Sequence, residues 1–252
     1  MTATRPEGAP RRPVLAIDGP AGTGKSTTAR HVARRLGWRH VDSGAFYRVA
    51  ALLALRLDLD LASGADRARL RGALESAEVD FHEVGGRLHT RLDGEDVTDV
   101  IRLAAVTRIV SRVADDPGLR EVVNAGLRAR VGDAPAVVDG RDIGSVVFPD
   151  AFLKVYLDAS PEVRARRRAR EAEPPERAGD PSVLASYEQS LTERDRADRE
   201  RPVAPLAAAP DAVHLDTSEL EIDTQVARVV HLATGRAGDL PAGARGGLPD
   251  AP

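Results

Sequence analysis

Short apolar runs alternate with stretches of helical period along most of the chain. Val14–Asp18 is a continuous apolar run closing on a glycine-rich turn, as in a strand buried on both faces. Ser26–Leu36 has helical periodicity and is broken by Gly37. Trp38–Asp42 predicts a second strand and Ala45–Leu57 a second helix. Further along, Ala136–Asp139, Phe152–Asp158 and Val213–Asp216 read as strands, and Pro161–Arg170 and Ile222–Ala233 as helices. Strands separated by helices predict an α/β fold, a parallel sheet covered on both faces.

Two stretches break this rhythm. Val79–Val84 and Arg87–Leu92 alternate apolar and polar residues on either side of Gly85-Gly86, which predicts a β-hairpin in a small insert over 65–101. Residues 171–182, EAEPPERAGDPS, are charged and proline-rich and predict a mobile segment. At the ends, residues 1–12 and 235–252 carry no apolar period and predict disordered arms flanking a domain over 13–234.

Composition removes several function classes. A net charge of −3 over 252 residues does not suit a globally basic nucleic-acid binder. With no cysteine, disulfide scaffolds and zinc–thiolate sites are excluded. No apolar run approaches the ~20 residues of a membrane span, and the first residues lack the apolar core of a secretory signal. A cytoplasmic protein is the expectation. All but two of the 36 basic residues are arginine, so Lys25 and Lys154 draw attention.

Lys25 lies in Gly19-Pro20-Ala21-Gly22-Thr23-Gly24-Lys25-Ser26, which fits G-x-x-x-x-G-K-[ST]. The motif follows a predicted strand and opens a predicted helix, the context in which it binds phosphate. Its glycines let backbone N–H groups turn inward, and the helix start adds partial positive charge. Lys25 supplies a point charge to the β- and γ-phosphates, and the Ser26 hydroxyl can hold Mg²⁺. Chance would produce such a motif in roughly one of several hundred chains of this composition.

A phosphate loop implies a nucleotide, and the remaining charged residues must indicate the reaction. Asp42-Ser43-Gly44-Ala-Phe-Tyr-Arg48 follows the second strand and opens a helix, with Arg48 about a turn in. Asp139-Gly140-Arg141-Asp142 follows the apolar run Ala136–Val138. An acid at that strand end is a second Mg²⁺ anchor, and Arg141 and Asp142 project from the strand's carboxyl end, where ligands bind in open α/β sheets. Arg164, Arg166, Arg167, Arg168 and Arg170 cover the whole circumference of their helix, so they cannot all be a solvated face. Positions 194, 198 and 201 then share one helical face.

Taken together, the stretches AIDGPAGTGKST (16–27), DSGAFYR (42–48), LDGEDVTDVIR (92–102), VSRVA (110–114), DGRDIGSVVFPDA (139–151), VYLDAS (155–160) and ERDRADRERPVAPL (193–206) resemble the bacterial cytidylate kinases, in the nucleoside monophosphate kinase group. The likeness spans about 13–234, and the third, fifth and seventh stretches are close to family-specific. It implies a five-stranded parallel sheet with helices on both faces, an acceptor-binding insert bearing the hairpin, and a short lid over 171–182. It implies ATP as donor, bound by Gly19 to Ser26 and Thr27, with Mg²⁺ near Ser26 and Asp139. CMP, and dCMP beside it, is the implied acceptor. Arg48, Arg141 and Arg201 match arginines on the acceptor phosphate. Ser111, Arg120 and Asp142 match readers of cytosine, and Arg194 and Asp198 match contacts to its sugar. Arg167 and Arg168 match lid-side arginines, and Asp42 and Ser43 the acceptor-loop pair. The catalytic set so implied is Lys25, Arg141, Arg167, Arg168 and Arg201, working in a monomer on small nucleotides, without nucleic acid or membrane. Pro174-Pro175 in the lid and Ser145, where threonine is usual, depart from the family pattern.

Two other readings stay open on the sequence. One is a phosphate-loop kinase for another small acceptor. The other is a non-catalytic nucleotide-sensing module, which would tolerate loss of Lys25 or of the acceptor arginines. None of these is lost.

Overall fold

The computed structural model describes residues 12–85, 87–246 and 248. In chain order the elements are β1 (Arg12–Asp18), α1 (Lys25–Leu36), β2 (Arg39–Asp42), α2 (Ser43–Arg56), α3 (Gly64–Ser76), β3 (Val79–Val84), β4 (Arg87–Leu92), β5 (Glu95–Asp96), α4 (Ala104–Asp115), α5 (Pro117–Val131), β6 (Ala136–Asp139), β7 (Ala151–Asp158), α6 (Pro161–Ala172), α7 (Pro181–Glu200), β8 (Val213–Asp216) and α8 (Ile222–Gly235). Two compact units result. The first runs to His40, from Asp133 to Glu200 and from Pro205 onward; the second takes Val41–Gly132 and Arg201–Ala204.

A five-stranded sheet in the order β2-β6-β1-β7-β8 organises the first unit. β1 lies at its centre, parallel to β6 and β7, and β8 pairs in parallel with β7. The central strands are buried over nearly their whole length, so they read as mostly apolar runs, with Lys154 the charged exception inside β7. Leu15, Ile17, Phe152 and Leu157 of the sheet pack with Val32 and Leu36 of α1 and Val226 and Val229 of α8. This is the α/β architecture expected, and β1 ends directly at the phosphate loop.

The second unit contains the three-stranded sheet β3-β4-β5. The β3–β4 hairpin has the predicted bounds, with Val79 opposite Leu92 and Val84 opposite Arg87. The unit is larger than the 65–101 insert expected, because α2 lies against α4 and α5, and α3 against α5. Leu119, Val123, Leu127 and Val131, four apart along α5, are buried, and that stripe ties α5 into this unit.

Three boundaries differ from expectation. The lid stretch 171–182 holds the end of α6, turns over 175–179 and the start of α7. Arg12 belongs to β1, while the expectation for residues 1–11 lies outside the described residues. The C-terminal stretch is not a free arm throughout: it forms 3₁₀ turns at Ala237–Asp239 and Ala242–Ala244. Leu240 is buried in the core cluster and Leu248 packs against it. One leucine per turn is enough to dock a segment too short to show a period. Residues 247 and 249–252 lie outside the described residues.

Candidate active site

The phosphate loop joins β1 to α1. Gly19 has φ of +143°, and a Cβ there would sit 2.0 Å from the Leu157 carbonyl oxygen, so only glycine fits. Thr23 Oγ1 donates to the Pro20 carbonyl at 3.1 Å and closes the loop on itself. Lys25 Nζ folds back over it, donating to the same carbonyl at 2.5 Å. Burial holds the Lys25 ammonium well below its ordinary pKa; repulsion from Arg141 and Arg194 lowers it further, while Asp139 and Asp18 oppose the shift. Three cations therefore face one small region. A polyanion bound there would relieve their repulsion.

Ser26 Oγ donates to Asp139 Oδ2 at 2.6 Å, and His40 Nε2 lies 2.7 Å from Asp139 Oδ1. Burial raises the Asp139 pKa, but the bonds to His40 and Ser26 and the charge of Lys25 outweigh it, and the carboxyl titrates below the usual range. Asp139 stays ionised. A hydroxyl and a carboxylate oxygen side by side suit a hard cation, and among the described residues no cluster of three acidic or histidine ligands forms a closed metal cage. This fits Mg²⁺, which takes one or two protein oxygens and shares the rest of its shell with phosphates and water.

The arginines of α6 divide in role. Arg167 donates to the Thr23 carbonyl at 3.3 Å and to Thr217 Oγ1 and O at 3.0 and 2.7 Å, so it lines the loop. Arg168 is exposed and pairs with Glu171 one turn on at 2.7 Å. The structure does not bring it to Arg167's contacts. Arg164 is buried in an ion pair with Asp195 of α7. Both partners also hold the loop backbone at Ala21: Arg164 Nη1 donates to its carbonyl at 3.1 Å, and its N–H donates to Asp195 Oδ1 at 3.3 Å. Also on α7, Asp198 Oδ2 accepts from Arg141 Nε at 3.0 Å. Lys154 pairs with Asp211 at 2.8 Å and packs its stem beside Gly144, a structural post.

In the second unit, Asp42 caps α2 by accepting the Ala45 N–H at 3.2 Å, and Ser43 is buried beside it. Arg48 Nη1 donates to Thr107 Oγ1 at 2.8 Å and to the Ile101 carbonyl at 3.2 Å. Two arginines converge on the C-terminal end of α4, where the helix dipole is negative. Arg120 Nη1 donates to the Ala114 carbonyl at 3.2 Å, and Arg201 Nε to Asp115 Oδ1 at 3.1 Å. The Arg120 guanidinium lies 5.6 Å over the Tyr47 ring, and Ser111 is on α4. The acceptor-side residues are thus divided: Arg141, Asp142, Arg194 and Asp198 belong to the first unit, and Asp42, Ser43, Arg48, Ser111, Arg120 and Arg201 to the second.

Sequence reasoning missed Asp18, His40, Tyr47, Arg164 and Asp195. Asp18 ends a strand as Asp139 does, and that signal could have marked it. The crowding of arginines on α6 marks Arg164 as one that could be buried, but nothing local to either residue names its partner, 31 positions away.

The cytidylate kinase family model matches residues 15–235. The chain is 44% identical over 227 residues to the cytidylate kinase of Rhodococcus jostii, covering 89% of this chain and 96% of the relative. It is 44% identical over 218 residues to that of Desulfitobacterium hafniense, covering 86% and 91%. It is 40% identical over 218 residues to that of Dichelobacter nodosus, covering 86% and 95%.

Proposed function

The chain belongs to the cytidylate kinase family, and from that premise we propose that it transfers the γ-phosphoryl group of ATP to CMP, giving ADP and CDP. The phosphate loop carries the reading, with Lys25, Arg141 and Arg194 close enough to repel one another there, a repulsion that a bound polyanionic phosphate would relieve. The acceptor is a phosphate oxygen already carrying negative charge, so no general base is required. That oxygen bonds to the γ-phosphorus as the bond to the ADP oxygen breaks. Lys25 and the loop N–H groups hold the donor phosphates; Arg48, Arg141 and Arg201 hold the acceptor phosphate in line. Arginine suits this task because its planar fork grips two oxygens. Ser26 and Asp139 would hold Mg²⁺, which neutralises phosphate charge when bound.

Selection of the base follows from complementary hydrogen bonding. Asp142 accepts from the cytosine N4 amino group, Arg120 donates to N3 or O2, and Ser111 adapts to either. Uracil would place its O4 acceptor before the carboxylate with no proton between them. Arg194 and Asp198 hold the sugar, so dCMP is also accepted if their partner is the 3′-hydroxyl. A monomer in the cytosol suits the reaction, since both nucleotides are soluble and one chain carries every assigned residue.

The test is a series of CMP, dCMP, UMP and AMP at fixed ATP. CMP should exceed UMP in kcat/KM by about 10² or more, because a buried charge left unpaired costs several kcal/mol. Equal values for CMP and UMP would refute the base-reading assignment.

A further inference from the structure

Asp18 closes β1 one residue before the phosphate loop and is 3% exposed. Each of its carboxylate oxygens accepts a backbone N–H at 2.8 Å, one from Ile143 and one from Gly144. These residues open the π-helical turn Ile143–Val147, directly after Arg141 and Asp142. The Asp142 side chain does not cap that turn; its carbonyl closes it by accepting from Val146 and Val147 at 2.9 and 3.2 Å. A strand residue 125 positions away therefore supplies the missing cap. A second bond, from the Gly140 N–H to the Ile17 carbonyl at 3.0 Å, ties the same segment to β1.

Only a carboxylate presents two acceptors side by side to two N–H groups. Asparagine would keep one and turn an N–H toward the other donor. Burial works against this charge and pushes the Asp18 carboxyl up to about 6; the two N–H bonds lower it, Asp142 raises it and Lys25 lowers it. A charge kept in the interior at such cost marks a demand for that geometry.

We propose that Asp18 is a positioning residue, which locks the segment carrying Arg141 and Asp142 to the root of the phosphate loop so that acceptor and donor groups keep one register. The inference rests on the assignment of Arg141 and Asp142 to CMP. Asp18 itself touches no substrate.

The experiment compares Asp18→Asn, Asp142→Ala and the parent in kcat/KM for CMP and UMP, with equilibrium ATP binding beside it. Asp18→Asn should lower kcat/KM for CMP about tenfold or more and shrink the CMP/UMP ratio, since one buried hydrogen bond is lost. ATP affinity should stay within about twofold. Equal losses with CMP, UMP and ATP would show a general role in folding and overturn the proposal. Should Asp18→Asn fail to fold, Asp18→Glu takes its place. It keeps both acceptor oxygens but sets them one methylene further from the Ile143 and Gly144 N–H groups. Its CMP/UMP ratio should fall below the parent's while ATP affinity holds, and an unchanged ratio would overturn the proposal. An unchanged ratio in Asp142→Ala would remove the base-reading assignment and this inference with it. A changed ratio there, with none in Asp18→Asn, would remove the role of Asp18 alone.

Discussion

Lys25 is a residue whose place in the structure makes sense only through its ligand. Its ammonium is buried and repelled by two arginines, and it is held by the Pro20 carbonyl at 2.5 Å and by a long contact to Thr23 Oγ1 at 3.5 Å. Burial outweighs the attraction of Asp139 and Asp18, so the fold gains little from it. Lys25→Ala should therefore leave the melting temperature unchanged or higher while turnover falls about 10²–10³-fold, as for the loss of a preorganised charge at a transition state. Thermal melting beside steady-state kinetics checks both halves; near-normal turnover would contradict the role. Such residues are legible because a short motif fixes their surroundings. Lys25, Ser26 and Asp139 are found together, as their motif and strand-end position imply. Asp18 and His40 act through partners 125 and 99 positions away, and nothing in the local pattern names those partners.

Among the elements, those whose apolar positions face the core were readable. All five strands of the main sheet and both hairpin strands lie within two residues of their predicted bounds. α3 has one fully buried apolar residue, Leu70, so its period is weak; only its Ser63 cap with Asp66 three residues on signalled a start. The stripe on α5 has a clear four-residue spacing in the sequence, Leu119, Val123, Leu127 and Val131. β5 is two residues long and has no pattern to show. The charge-rich helices α6 and α7 show most clearly what periodicity leaves out: a buried ion pair between them clamps the phosphate loop. Arg164→Ala should cost about 3–5 kcal/mol, because it strands the Asp195 carboxylate. Adding Asp195→Leu should recover most of that stability, since the unpaired charge is gone, but not ATP affinity, since the grip on Ala21 is lost. Denaturant unfolding and equilibrium ATP binding separate the two effects. Full recovery of both would show that the clamp does not shape the loop.

On the scale of the whole molecule, the C-terminal stretch belongs to the first unit's core through Leu240. Leu240→Ala should cost about 2–5 kcal/mol. At about 2–4 °C per kcal/mol for a chain of this size, the melting temperature should fall by several degrees. No shift would mean that the docked turns add nothing to stability. The phosphate loop lies in one unit and Arg48, Arg120 and Arg201 in the other. A nucleotide sensor has no use for an acceptor, whereas a kinase turns over only with one. ADP formation from ATP, measured with and without CMP, separates these cases most directly. A kinase gives negligible ADP without an acceptor, rapid ADP formation with CMP, and one CDP for each ADP. ADP production that ignores CMP, or ATP binding with no transfer when CMP is present, would contradict the kinase assignment.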